Sequence, residues 1–242
     1  MVSLLFSDLT TLDILLVVVV VGVGFLSLAI SWLLASRGYK KWIPRKFTHI
    51  VMSSLVALAL PFYSSLTGPA ITIGIFAAGI LGASIFGVNL AKAALSSGTR
   101  EDGSRLQTFL AAVFALASYA LVFILFMGYP AIFVASILAV SWGDGAGEVV
   151  GRPFGKHKFH VWRGKTKSAE GSLAVVLMTF VAIMFAFLLY PLRVPLVSLL
   201  LIGAAVSSAV AATELLCVSW MDNVTIPLLS AFLLWYLFFP FL

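Results

Sequence analysis

The feature that most constrains this chain is a succession of apolar runs, each about 20 residues long, separated by short polar loops. Eight such runs can be drawn, at about 12–34, 47–66, 69–91, 106–127, 130–150, 172–190, 195–216 and 224–242. A run of this length spans the hydrocarbon of a bilayer when coiled as an α-helix, and only helices or closed barrels satisfy their backbone hydrogen bonds in lipid. The alternating short strands of a transmembrane barrel are not seen. Hydrophobic residues make up 62% of the chain and charged residues 10%, against about 25% charge in soluble domains, so one water-soluble core could not hide this surface. The expected fold class is an all-α integral membrane protein of about eight transmembrane helices, forming one polytopic domain over 1–242. No linker or internal repeat is evident.

Charge placement tests the span count, because cytoplasmic loops collect Lys and Arg. Loop 1 carries Arg37, Lys40, Lys41, Arg45 and Lys46; loop 3 carries Lys92, Arg100 and Arg105; loop 5 carries Arg152, Lys156, Lys158, Arg163, Lys165 and Lys167. Only Arg193 of the fifteen basic residues falls in an even-numbered loop. Loops 1, 3, 5 and 7 are therefore expected in the cytoplasm and both termini on the other side. The first run, Leu12 to Leu34, is longer than the roughly 7 to 15 residues of a signal-peptide core and follows Asp8 rather than a basic region, so it is expected to be retained as a helix. The lack of a transit peptide leans toward a prokaryotic plasma membrane, with the endoplasmic reticulum or plastid envelope as the eukaryotic equivalents. The single cysteine, Cys217, allows no internal disulfide and reads as a small core residue.

The fifth run is short in apolar residues and passes into Ser141-Trp142-Gly143-Asp144, so its last turns are expected to leave the hydrocarbon and line a polar cavity. The densest polar stretch follows, from Gly143 through Gly147, Glu148, Gly151 and Gly155 to Lys156, and on from Arg163 to Ser172. If the helix continues, Asp144 and Glu148 share a face and suit a pair of oxygen ligands for Mg²⁺. Carboxylates at a membrane edge are costly, which favours function, although they could simply neutralise the basic loop. The glycines permit close backbone approach to a phosphate. The Walker A and dinucleotide-binding spacings nevertheless fail here, and Gly147, Gly151 and Gly155 equally suit a helix-packing face.

Lys165, Lys167 and Ser168 precede the sixth run, whose start is marked by Glu170, Gly171 and Ser172. Cations at a helix N-terminus bind phosphate, and a polybasic segment on anionic lipid is the competing explanation. His49, after Arg45 and Lys46, could act as acid, base or hydrogen-bond donor, or merely anchor the second run at the interface. His157 and His160 have no cysteine partner and give no zinc signature. Glu214, Asp222 and Asn223 place polar groups in a turn without basic residues, either as a site or as helix caps.

Taken together, Arg45-Lys46-Phe47-Thr48-His49, Gly143-Asp144 with Gly151 and Gly155-Lys156, Lys167-Ser168-Ala169-Glu170-Gly171-Ser172, and Glu214 with Asp222-Asn223 and Pro227 resemble the polyprenol kinase family. That family includes dolichol kinase, phytol kinase and a CTP-dependent diacylglycerol kinase. The resemblance covers about residues 40–230 and rests on four blocks in the right order, with Gly147 departing from the family's usual Ala and Glu170 varying among its subgroups. It implies Mg²⁺-dependent transfer of the γ-phosphate of a nucleoside triphosphate, typically CTP, to the hydroxyl of a membrane isoprenoid alcohol such as polyprenol, dolichol, phytol or geranylgeraniol. Carried onto this chain, it makes Asp144 a Mg²⁺ ligand or hydroxyl-orienting base and Glu148 a second ligand. Lys156, Lys165 and Lys167 would then meet the triphosphate, Arg45, Lys46 and His49 would help close the site, and Glu214, Asp222 and Asn223 would complete metal or cytosine contacts. No nucleic-acid partner is expected.

A polar nucleotide from water and an oily alcohol from the bilayer must meet at one leaflet's interface, which agrees with the clustering of charge at one edge. A transporter or channel would instead place charges near the midplane of several helices. A CDP-alcohol phosphotransferase would need further aspartates soon after Asp144-Gly145, and these are absent.

Overall fold

The computed structural model describes residues 8–85, 105–161, 166–217 and 221–241. Among them the chain is almost wholly helical: α1 Thr11–Ser36, α2 Trp42–Ala59, α3 Thr67–Ile85, α4 Arg105–Phe126, α5 Pro130–Leu138, α6 Gly145–Phe154, α7 Ala169–Leu189, α8 Leu196–Leu216 and α9 Asp222–Phe238. A 3₁₀ turn, Leu60–Phe62, extends α2, and another, Phe239–Phe241, extends α9. Between α5 and α6 the ladder widens into a π-helical turn, Ala139–Asp144. Two short strands, β1 Lys158–His160 and β2 Thr166–Ser168, pair antiparallel with Phe159 opposite Lys167.

Six helical segments are long and apolar enough to cross a membrane: Thr11–Ser36, Trp42–Phe62, Pro130–Phe154, Ala169–Leu189, Leu196–Leu216 and Asp222–Phe241. The other two expected spans also fall on helices, α3 and α4, whose described apolar stretches, Thr67–Gly79 and Val113–Phe126, are shorter. The end of the expected third span, residues 86–91, lies outside the described residues, as do the loop cations Lys92, Arg100, Arg163 and Lys165. Large apolar side chains such as Leu15, Leu188 and Leu201 are exposed, as suits a surface solvated by lipid tails.

The chain divides into two compact units, Met1–Thr108 and Phe109–Leu242. In the first, α1 packs against α2 and α3. Thr10 caps α1: its hydroxyl accepts from the Asp13 N–H at 3.2 Å while the Asp13 carboxylate accepts from the Thr10 N–H at 2.9 Å, a reciprocal box that satisfies orphan donors. The same carboxylate accepts from the Ser64 N–H at 2.8 Å and from the Ser64 hydroxyl, tying the start of α1 to the turn after α2. At the other end Gly38, at φ 79°, lets the chain reverse while Tyr39 N–H bonds back to Leu34 O at 3.2 Å, a left-handed cap that suits glycine.

Helix α2 begins at Trp42, five residues before the expected span, so Arg45 and Lys46 sit on the helix with His49 rather than in the loop before it. Pro44 permits this because it stands in the first turn, where backbone N–H groups lack intrahelical partners anyway. Its carbonyl accepts from Thr48 and, across to α1, from Ser31, both at 3.1 Å.

In the second unit, every residue from Ala131 to Ser141 is buried, so α5 is enclosed on all sides, as a helix apolar all round should be. Helix α7 lies against α5, the π turn, α6 and α8, and α9 packs against α8, α5 and the π turn. The central helix of this unit is thus the one expected to carry polar residues out of the membrane.

Candidate active site

The π turn decides how the polar stretch is presented. Ala139 N–H still reaches Ala135 O in the α register, whereas Gly145 N–H reaches only three residues back, to Trp142 O. Wide turns of this kind insert about one residue into the ladder and recur at functional sites. Asp144 ends the turn with helical backbone angles and is only 6% exposed. From there α6 runs regularly, so Asp144, Glu148 and Arg152 follow one another at intervals of four on one face. Arg152 Nε meets Glu148 Oε1 at 2.8 Å.

Gly143, Gly147 and Gly151 occupy the neighbouring face and lie against α7. A methyl at Gly147 would stand 2.7 Å from Val175 Cγ2, and one at Gly151 would stand 3.1 Å from Ser168 Oγ and 3.3 Å from Gly171 Cα. One at Gly143 would overlap Thr179 Oγ1, and one at Gly155 would overlap the Gly151 carbonyl. From the opposite side, a methyl at Gly171 would stand 2.9 Å from Gly147 O. Small residues at intervals of four let two membrane helices approach closely. Close packing against α7 and Ser168 therefore uses Gly143, Gly147, Gly151, Gly155 and Gly171, the alternative that the sequence offered beside approach to a phosphate.

Loop 5 folds into the β1–β2 hairpin and delivers three groups. Ser168 caps α7, its hydroxyl accepting from the Gly171 N–H at 3.1 Å, and Ser172 Oγ donates to the Ser168 carbonyl at 3.2 Å. Glu170, in the first turn of α7 where negative charge is favoured, accepts from the His157 N–H at 3.2 Å and lies 2.7 Å from His157 Nδ1. Lys167 reaches from β2 to Glu214 near the end of α8 and forms an ion pair with it. The Glu214 side chain is only 9% exposed, the Lys167 side chain 29%, so this pair is somewhat less screened than Glu148–Arg152. Lys156 is exposed beyond α6.

Asp222 opens α9 and is buried, its carboxylate accepting from the Asn223 N–H at 2.9 Å. The Asn223 carbonyl accepts from Ser118 Oγ of α4 at 2.8 Å. Asp222 thus bonds within the first turn of α9, and the Asn223 backbone ties that turn to α4. In the first unit, Arg45 and His49 lie one turn apart on α2 and half-buried, while Lys46 is buried.

Among the described residues no group of three or more His, Cys, Asp or Glu side chains could hold a metal ion. Glu148 is engaged by Arg152 and Glu214 by Lys167, so each of these charges already has a cation. Mg²⁺ bound by one or two carboxylates, with substrate phosphates and water supplying the other oxygens, would need only Asp144, joined by Glu148 once that carboxylate leaves Arg152.

Sequence reasoning missed Thr179, which faces Gly143 from α7, and treated His157 only as a failed metal ligand. The register Gly171, Val175, Thr179, repeating the four-residue interval of the α6 glycines, was the available signal for Thr179.

No protein-family model matches the chain, and no solved structure matches it. A phytol kinase from Synechocystis sp. is 36% identical over 109 residues, covering 45% of this chain and 46% of that protein. The chain thus spans about half the length of this curated relative. This similarity establishes a relationship to a phytol kinase, in line with the polyprenol kinase resemblance carried by the four sequence blocks.

Proposed function

We infer that this protein is a membrane lipid kinase that transfers the γ-phosphate of a nucleoside triphosphate, CTP by family resemblance, to the hydroxyl of an isoprenoid alcohol of the phytol or polyprenol class. The observation that carries the reading is the similarity to a phytol kinase. It is supported by a unit in which the buried Asp144, the Glu148–Arg152 face and the Lys167–Glu214 pair come from elements packed on one another. The site belongs at the cytoplasmic face, where the odd-numbered loops carry almost all the basic residues.

In the reaction the alcohol oxygen bonds to the γ-phosphorus, the bond from that phosphorus to the β-phosphate bridging oxygen breaks, and the nucleoside diphosphate leaves. The protein's task is positioning and charge neutralisation. Lys167, held by Glu214, and the exposed Lys156 supply positive charge for the phosphate oxygens, with Lys165 next to them in sequence. Arg152 sits one turn beyond Glu148 and can swing from that carboxylate to a phosphate. Mg²⁺, held by Asp144 and Glu148, would neutralise charge on the β- and γ-oxygens. Asp144 has a second possible office, accepting the hydroxyl proton. The exposed apolar flanks of the helices keep the alcohol's chain in lipid while its hydroxyl reaches the interface.

The test uses purified protein in lipid, γ-labelled CTP or ATP, Mg²⁺, and a panel of phytol, geranylgeraniol, a polyprenol, a dolichol and diacylglycerol, with label counted in the organic phase. Labelled isoprenoid alcohol is the expected result, and folded protein that labels none of the panel ends the kinase reading. A Mg²⁺ titration of Asp144→Glu separates the two offices of Asp144: a ligand shifts the metal requirement, whereas a base changes kcat and the acid limb of the pH profile at unchanged metal requirement.

A further inference from the structure

The second unit buries several hydroxyls among apolar helices, and a common habit is to donate to a backbone carbonyl. Ser136, Ser207 and Ser230 each donate to the carbonyl four residues back at 2.6 Å, to Ile132, Gly203 and Ile226 respectively. Ser118 bonds both to Ala115 O and across to Asn223 O. Thr179 departs from the habit. It is fully buried, and alone among the described residues its side-chain oxygen is buried without a hydrogen-bond partner. Leaving such a group unmatched costs stability, so an unmatched one in a native core calls for a reason.

Its surroundings supply one. Thr179 Oγ1 lies over Gly143, where any side chain would collide with it, and Gly143 is the penultimate residue of the π turn that ends in Asp144. In that turn the backbone changes from one hydrogen-bond register to another, so its carbonyls are not all committed to a regular ladder. The hydroxyl therefore faces an irregular turn of helical backbone, one residue from the carboxylate on which the kinase reading turns. Valine would fill the same space without the polar atom, as Val175 does one turn earlier against Gly147.

We propose that Thr179 is a positioning residue for phosphoryl transfer: its hydroxyl donates to the backbone of the 139–144 turn in the nucleotide-bound state and so holds Asp144 in its working orientation. The inference rests on the lipid-kinase reading. It assigns the hydroxyl no contact with substrate.

The experiment compares Thr179→Val, Thr179→Ser and wild type in the lipid assay above, with kcat, KM for the triphosphate and Tm measured on the same preparations. Removing a hydroxyl that is unmatched in the resting state should leave Tm unchanged or higher, while kcat falls about tenfold, the rate equivalent of one ordinary hydrogen bond, with KM within about twofold. Serine should restore most of kcat. Wild-type kcat in Thr179→Val overturns the proposal, and so does a parallel loss of Tm and kcat that serine fails to restore, since that is the signature of packing alone. A wild type that phosphorylates nothing sinks the kinase reading itself, an outcome plainly distinct from an active wild type with an active valine variant.

Discussion

Two of the buried aspartates, Asp13 in the first unit and Asp144 in the second, differ in what surrounds them. Asp13 is enclosed by its own helix cap and the turn after α2, and its carboxylate accepts from the backbone and hydroxyl of both Thr10 and Ser64. Every one of those donors is short and local to two ordinary chain reversals. Asp144 instead ends a π turn, shares a face with Glu148 and Arg152, and borders a glycine stripe packed on α7. Burial of a carboxylate is therefore no guide to function by itself. A ring of cap and turn donors marks a structural knot, whereas irregular helix geometry beside further charges marks a place where chemistry can be done.

The largest effect should come from swapping the charge out of each corner in turn. Asp144→Asn should lower kcat on the order of a hundredfold or more, as expected when a group facing developing charge is neutralised, with little change in Tm. Asp13→Ala should do the reverse. It strands donors that its carboxylate now satisfies, costing about 1–3 kcal/mol, and should lower Tm while turnover per folded molecule stays at the wild-type value. Lipid-kinase rates paired with thermal melts in the same lipid decide it. If Asp13→Ala abolished turnover in folded protein, or Asp144→Asn kept it, the contrast between the two corners would be wrong.

A smaller effect is expected at Lys167–Glu214, which lies on the chemical side of the comparison. Glu214→Gln keeps the shape of the side chain but removes the charge that steers Lys167. The loss of one charge-assisted hydrogen bond is about 1.5–3 kcal/mol, part of it appearing as lower Tm and part as a several-fold rise in KM for the triphosphate. Lys167→Met should raise KM further. If Glu214 were a metal ligand, Glu214→Gln would instead raise the Mg²⁺ concentration needed for half-maximal rate, so the same titration separates the two roles.

The same contrast explains what could be read from the chain and what could not. Hydropathy located the helices because apolar length is a local property, as the agreement of Leu196–Leu216 with the expected span shows. The expected second span begins after the true start of α2 because Arg45 and Lys46 read as loop cations, although a first helical turn tolerates both, and Pro44 as well. The β1–β2 hairpin was invisible because strands of three residues are too short to show alternation. The π turn has no side-chain signature; Gly143 only permits it. Lys167 and Glu214 stand 47 residues apart, and no spacing rule joins residues whose meeting depends on how α7 and α8 pack. The glycine stripe was legible as a pattern, but choosing between phosphate and helix packing required the opposing residues Gly171 and Val175.

The smallest effect tests that last choice by comparing glycines across the two units. Gly22 lies within α1, and an added methyl there would meet nothing within 4 Å, whereas one at Gly171 would stand 2.9 Å from Gly147 O and 3.1 Å from Gly151 Cα. Alanine is the better helix former by about 1 kcal/mol. Gly22→Ala should therefore raise Tm slightly. Gly171→Ala gains the same propensity but drives a methyl into backbone that cannot turn aside, and overpacking of this kind costs about 1–3 kcal/mol, so the net change should be a modest fall in Tm. Because α6 carries Asp144 at its start, the misfit should also reduce kcat by a smaller factor than Asp144→Asn does. Should Gly171→Ala melt like Gly22→Ala and yet lose affinity for the triphosphate, the glycine would be serving the phosphate after all, and the packing account of the stripe would have to be given up.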